Sequence, residues 1–452
     1  MVATQSPTQK LNIICQRIEQ EMKRLHVPGV AIGIYHKSKE WTAGFGITNL
    51  EHPLPVTPDT LFQIGSISKT FTGTLLMMLA QQRKVDLDAP VRRYIKDFKL
   101  KDENVAKKVT IRHLLTHTGG WVGDYFNDFG NGDDALAKMV KDIGKLPQIQ
   151  PLGKIWSYNN TGFNVASRII EVVTKKSYEQ ALQEMLLDPL GLNMTFMYPS
   201  DILFTHRFVV GHYRKDGKPH VARPWAIGRA GNGVGGVVST VGDLLKYARF
   251  HMGNGNKIIK RKSLEAMRVK HVNAGGRGDM GVTWFIRYAD DLTTYAHGGA
   301  THGQQAYFFF IPEKDFALAI LTNSDDGGII TAQTFGWALD LYFGIKLKSP
   351  KPLKAPQELH EFVGRYKIGT ECFDLKAKGK YLIYHHIPLG GFPKPDSPPG
   401  PALPPMRFAF YDKDKLIGLD EPYKDALADV IRDSKGRVGY FRVGGRAHKK
   451  IR

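Results

Sequence analysis

The sequence predicts an α/β chain in two parts: a mixed layer of sheet and helices with an all-helical lobe, then a small antiparallel β domain. Three observations lead there. Strand-like runs stand at both ends of the first 345 residues, with helix-patterned segments between them. Near residue 346 the composition changes, and "KLKSPKPLKAPQ" reads as an extended Pro/Lys-rich linker. Beyond it, short alternating strands continue to the last residue. The expected division is 1–345, a linker over 346–357 and a β domain over 358–452, in keeping with a chain too long for one simple domain.

Taken in order, "MVATQSPTQKLNIICQRIEQEMKRL" is a polar lead followed by an amphipathic helix, with no basic head and apolar run of the export-signal kind. "GVAIGIYHK" and "EWTAGFGITNL", separated by "SK", suit a β-hairpin. A loop, "EHPLPVTPDTLFQIG", leads to a helix opened by Ser66, on which Phe71, Leu75, Met78 and Leu79 face the core. "TIRHLLTHTGG", "GDDALAKMVKDIGKL", "TGFNVASRIIEVVTKKS" and "SYEQALQEMLLDPLGL" carry apolar residues at three- and four-residue spacing and stop near Gly or Pro. "STVGDLLKYARFHMGNG" is a further helix, capped by Ser239 or Thr240 ahead of Asp243. Strands return at "MGVTWFIRY", "TTYAHGG", "QQAYFFFIP" and "FALAILTNS", dense in aromatic and aliphatic side chains, and "TAQTFGWALDLYFGI" is a helix to cover them. The last part has strands such as "YLIYHHI", "RFAFYDKDKLIGL" and "VGYFRVGG" around a Pro/Gly-rich loop, "PLGGFPKPDSPPGPALPP".

Bulk properties exclude several classes. With 42% hydrophobic and 23% charged residues the chain can bury a core, and no stretch approaches the roughly 18 apolar residues of a membrane span. Two distant cysteines, Cys15 and Cys372, support neither a disulfide framework nor a zinc cluster. A net charge of +20 invites nucleic acid, but the Lys and Arg are scattered rather than clustered, which argues against it. The expectation is a reduced, cytoplasmic setting with no metal, no cofactor and no membrane.

Three short motifs carry chemistry. In "QIGSISKTFTG", Ser66 and Lys69 lie one helical turn apart, on one face. A serine hydroxyl needs something to take its proton, and a lysine can do so only as the neutral amine, which burial or a neighbouring cation would favour. The helix start also offers free N–H groups to a developing oxyanion. In "KIWSYNNTGF", Tyr158 and Asn160 stand two apart on a loop before a helix. The phenol can share or relay a proton, and Asn160 can hold Lys69 or a substrate carbonyl. In "YAHGGATHGQQAYFFF", His297 precedes Gly298 and Gly299 at the end of a strand, where backbone can approach a ligand closely. The N–H of Ala300 could then join that of Ser66 as a second oxyanion donor. His302 reads as a surface turn residue. Trp121, Tyr125 and Phe126, in "GGWVGDYFNDFGNGDD", either shape a substrate pocket or pack the helical lobe. "GNGVGG" fits G-x-G-x-x-G but lacks a βαβ setting, so it lines the cleft or makes the turn before the Ser239 helix rather than binding a dinucleotide.

Together the motifs resemble the serine β-lactamase and penicillin-binding-protein superfamily. The branch is that of class C β-lactamases, family VIII carboxylesterases and D-stereospecific aminopeptidases. "VPGVAIGI", "TIRHLLTHTGG", "LDPLGLNMT" and "GGVVSTVGDLLKYARF" extend the resemblance over about residues 10 to 345. It implies a class C β-lactamase-like mixed antiparallel sheet flanked by helices. "EFVGRY" and "RVGGR" look like the small β-barrel-like appendage of many members. The implied activity is serine hydrolysis of an ester or amide through an acyl-enzyme on Ser66, of carboxylesterase or D-amino-acid amidase or peptidase type. Lys69 and Tyr158 would move the proton, and Ser66 and Ala300 would hold the oxyanion. Asn160, His297, Gly298, Gly299, Trp121 and Tyr125 would meet a small ester, amide or short peptide. Members active on penicillin usually carry Lys-Thr-Gly where this chain has His-Gly-Gly, which turns the expectation away from β-lactams. β-Lactamase or penicillin-binding activity and a silent scaffold member are the alternatives. Relatives that oligomerise extend the expectation to a homo-oligomer.

Overall fold

The computed structural model describes residues 6–205, 207–353, 358–369, 371–390, 397–399 and 402–452. The aliphatic run Gly29–His36 is buried along nearly its whole length because helices cover both faces of the sheet it enters. That sheet has eight antiparallel strands. From one edge they are Lys39–Gly46, Gly29–His36, Phe316–Thr322, Gln304–Ile311, Leu292–Thr301, Phe285–Ala289, Asp279–Met280 and Val272–Asn273. Strands from both ends of the domain meet at its centre, with Val30 opposite Thr322 and Ile32 opposite Ile320. Helices Pro7–Leu25 and Gly327–Phe343 close one face over a core that includes Ile14, Ile18, Phe309 and Leu339.

The other face carries the helix that follows Ser66. Ser66 lies in a 3-10 turn, Gly65–Ile67, and the α-helix proper runs from there as Ser68–Gln81, so the helix begins two residues after the serine. Every side chain from Ser68 to Leu79 is buried, as befits a helix wrapped on all sides by the lobe and the sheet. Phe71 stacks on Tyr247 of helix Val241–Met252 at 4.1 Å. Two glycines let the Ser66 turn touch strand Leu292–Thr301. Gly65 has φ +52°, and a Cβ there would lie 2.5 Å from the Ala300 nitrogen; one on Gly299 would lie 1.9 Å from the Ile64 carbonyl oxygen.

The helical lobe supplies the second segment. Asn159 caps helix Asn160–Thr174 through Gly162 N–H, and its amide donates to the Trp121 carbonyl, which fixes the loop on which Tyr158 stands. Past residue 345, residues 346–353 form neither helix nor strand, while 354–357 of the expected linker and much of the Pro/Gly-rich loop lie outside the described residues.

The last part is a closed barrel of eight antiparallel strands, sealed where Tyr366 pairs with Lys450. Its interior is filled by rings, Tyr366, Phe373, Tyr384, Phe408 and Phe441 among them. A hairpin of this barrel, Val438–Val443 and Arg446–Lys450, turns at Gly444 and Gly445, both at positive φ. The tip reaches the first domain: the Gly445 carbonyl accepts from Tyr158 N–H at 2.9 Å, and Ala447 N–H donates to Ser157 Oγ at 3.1 Å.

Candidate active site

The fold brings the three motifs to one cleft. Lys69 is fully buried, and its Nζ lies 2.9 Å from Ser66 Oγ and 2.7 Å from the Val234 carbonyl oxygen. Rings enclose it, with Tyr158 at 5.0 Å and Phe163 at 5.6 Å. No carboxylate among the described residues pairs with it, so burial, helped by the charge of Arg446, drives the amine well below the usual lysine range. Neutral Lys69 has N–H groups for the Val234 carbonyl and a lone pair to accept the Ser66 hydroxyl.

Tyr158 is buried, and burial pushes its phenol up to about 12, against the pull of Ser66 and Arg446. Its hydroxyl lies near Ser66 but makes no well-aligned hydrogen bond to the described residues. Two further groups, His117 and Arg446, lie against the ring. His117 stacks at 4.3 Å, wholly buried, and accepts from Asn159 N–H on Nδ1; burial holds it neutral. The Arg446 guanidinium, from the barrel hairpin, lies 4.9 Å from the ring centre. Burial opposes that charge, yet Asp124 holds it above its ordinary range through a bidentate pair at 2.9 and 3.1 Å.

His297 is 1% exposed and lies inside strand Leu292–Thr301 rather than at its end, facing Phe285 and Tyr158. Burial draws it down to about 3; Nδ1 donates to the Gly298 carbonyl at 2.6 Å, which leaves Nε2 with a lone pair and no partner among the described residues. Asn160 borders the cleft, but its amide donates to Asp124 at 2.6 Å, and the contacts of Lys69 are with Ser66 and Val234 instead. Gly298 and Ala300 line the cleft beside Ser66, and Gly299 makes the close approach described above.

Trp121 departs from the expected substrate role. It is 1% exposed and its indole N–H donates to Thr161 at 2.8 Å, so it packs the lobe. Tyr125 and Phe126, from the same stretch, do border a cavity. The "GNGVGG" stretch forms the turn Asn232–Gly236, whose Val234 carbonyl anchors Lys69. His302 is half-buried in a turn against Tyr213.

Two cavities share the walls Phe126, Asn160, Ile227 and Val234, and Ser66 lines one of them. One, about 520 Å³, contains Ser66, Tyr158 and His297 and is walled by the barrel. Four arginines line it. Arg442 pairs with Asp429 and Arg446 with Asp124, whereas Arg277 and Arg287 have no carboxylate partner among the described residues. The Arg277 guanidinium donates to the Gly444 carbonyl at 3.0 Å, and burial draws it down to about 10. The other cavity, about 1000 Å³, opens between the Tyr125 loop and the Trp225 segment.

A serine and a buried amine one turn apart, with a phenol from a helical lobe and a close strand, stand together on a class C β-lactamase-like fold. Residues 14–333 match the beta-lactamase family, and the chain belongs to it. It is 32% identical over 319 residues to penicillin-binding protein 4 of Amycolatopsis lactamdurans, covering 68% of this chain and 83% of that one. Among solved structures, SurE, also solved with D-Leu, aligns over 99% of this chain and 100% of its own with a TM-score of 0.78 and 21% identity. The octameric penicillin-binding protein homologue from Pyrococcus abyssi aligns over 94% and 96% with a TM-score of 0.63 and 24% identity. Both alignments take in the barrel, and at such identities they show a shared fold.

Proposed function

We propose that this protein hydrolyses an ester or amide through an acyl-enzyme on Ser66. One observation carries the reading: the Lys69 amine is buried, unpaired with any described carboxylate, and 2.9 Å from Ser66 Oγ. As Ser66 Oγ bonds to the substrate carbonyl carbon, its proton passes to Lys69 Nζ, and the N–H groups of Ser66 and Ala300 receive the oxyanion. The bond to the leaving group then breaks as Tyr158 gives it a proton, and Lys69 reprotonates the phenol. Water repeats the sequence on the acyl carbon and frees Ser66. The opposite shifts support this division of labour, the amine toward its neutral form and the phenol toward its protonated one, so Lys69 is the base and Tyr158 the relay.

Tyr158 borders the arginine-lined cavity, so the leaving group occupies it, and the unpaired Arg277 suits a leaving group that bears a carboxylate. That favours the amidase or peptidase type over a simple esterase, and D-Leu in the related SurE is in keeping with it. The octameric homologue makes self-association part of the same reading. The test is intact mass after a fluorophosphonate, with turnover of p-nitrophenyl esters beside D-aminoacyl p-nitroanilides. Wild type should gain one adduct, located on Ser66, and Ser66→Ala should neither label nor turn over. Labelling elsewhere, or more than about a percent of activity left in Ser66→Ala, ends the proposal, since losing the nucleophile costs on the order of 10⁴-fold or more.

A further inference from the structure

Resting on that acyl-enzyme reading, we propose that the leaving group is an acidic amino acid: an amine with two carboxylates, one received by Arg277 and the other by Arg287. Charge balance comes first. Of the four arginines on the 520 Å³ cavity, the fold supplies carboxylates for two and grips each with both oxygens, Asp429 on Arg442 and Asp124 on Arg446. Asp429 is the one carboxylate among the described lining residues, and it is already bonded to Arg442. Arg277, from the turn Gly275–Arg277, and Arg287, from strand Phe285–Ala289, are left on the same space without one. Burial, then the charges of Arg446 and Arg287, draw Arg277 down to about 10, so it is repelled by its neighbours yet still carries its proton at neutral pH. Uncompensated guanidiniums on a partly buried wall are costly, and the anion that relieves them has to arrive with the ligand. Two cations call for two negative charges.

The lining then sets the chemistry. Aromatic rings support both guanidiniums: Phe285 lies 5.7 Å from Arg277, and Tyr307 and Phe335 lie 5.8 and 6.0 Å from Arg287. Arg277 donates to the Gly444 carbonyl, while the buried Nε of Arg287 has no partner among the described residues. Hydroxyls without acceptors border the same cavity, those of Tyr307 and of Thr301, which is 6% exposed. A wall short of acceptors suits groups that only accept, as ionised carboxylates do. His297 Nε2 is the reverse, an acceptor without a donor beside Tyr158, and it suits an N–H of the departing amine. The amide C–N bond then breaks with the nitrogen taking the Tyr158 proton, and the acidic amino acid leaves. Size agrees, since about 520 Å³ lies within the range of pockets that hold whole small ligands. An acidic residue is the peptide-type leaving group that carries two charges.

The experiment follows the rate at which a fluorophosphonate labels Ser66 in the full chain, by intact mass, with added glutamate, glutamine or inorganic phosphate. Both enantiomers of each amino acid are used, and glutamine matches glutamate in size while lacking one charge. One enantiomer of glutamate should halve the labelling rate at a concentration at least about tenfold below that of the same enantiomer of glutamine, the effect of one charge-assisted hydrogen bond. Arg287→Met should bring the two ligands to within about twofold, and Arg287→Lys should restore part of the gap. Both ligands are read on one protein, so a general loosening of the fold moves them together and leaves their ratio unchanged. Glutamate no better than glutamine in the wild type overturns the proposal whether or not either variant folds, and a ratio that survives Arg287→Met does the same. Phosphate protecting more strongly than glutamate overturns it in favour of a phosphorylated leaving group. If Ser66 takes the label and the two amino acids protect alike, the acidic leaving group alone is wrong; if Ser66 takes no label, the acyl-enzyme reading has failed and this proposal with it.

Discussion

Two cations approach the Tyr158 ring to nearly the same distance, Lys69 Nζ at 5.0 Å and the Arg446 guanidinium at 4.9 Å, and the protein treats them in opposite ways. Lys69 comes from the helix that follows Ser66 and is sealed among Phe163, Tyr158 and a backbone carbonyl, with no carboxylate bonded to it. Burial and its neighbour Arg446 push it toward the neutral amine. Arg446 comes from the barrel, and Asp124 grips it with both oxygens, so it stays charged. Burial acts against both charges; the partner decides which one survives. A base needs the first arrangement and a fixed positive field needs the second. The two also cooperate, since a permanent charge on Arg446 keeps Lys69 deprotonated.

The comparison can be broken most severely at its neutral member. Lys69→Met should lower kcat/KM for any ester by about 10³-fold or more. It should also change stability in a definite direction. Lys69 binds a proton in the unfolded chain up to its ordinary pKa of about 10.4 but loses it well below that when folded. Between those two values the unfolded state holds the extra proton, so this residue makes stability rise with pH; Lys69→Met should remove that part of the slope in urea unfolding across pH. Tyr158→Phe should cost about 10²-fold in turnover while leaving Ser66 open to a fluorophosphonate.

The charged member is tested next. Asp124→Asn leaves Arg446 charged without its partner and should destabilise by about 2–3 kcal/mol in chemical denaturation. That is less than for a fully buried pair, because the two side chains keep 16% and 21% exposure. Arg446→Met should have the smallest effect. Removing the cation raises the Lys69 pKa, so the acid limb of the pH–kcat/KM profile moves to higher pH. An unmoved or downward-shifted limb would show that the two cations are not coupled through this site.

What the sequence made legible is local. S-x-x-K is a helix-turn spacing, Y-x-N stands on a loop before a helix, and the His297 strand announces itself by aromatic density. Trp121 misled because an aromatic in a glycine-rich loop looks the same whether it faces a pocket or a core; only the bond to Thr161 distinguishes the two. Asp124 and Arg446 stand in quoted stretches, but 322 positions separate them and no local pattern says that they pair. "RVGGR" was legible only as part of a small β appendage, with nothing in its letters to say that its end lies on Tyr158.

The order of residues thus determined the class of fold and singled out the proposed nucleophile and the groups that could serve it, because helix pitch, strand alternation and capping act over a few residues. The tertiary structure decided which lysine loses its proton, which arginine keeps its charge and which arginines gather at the cleft. Those outcomes depend on desolvation and on partners hundreds of positions away, and both come into being only when the chain closes on itself.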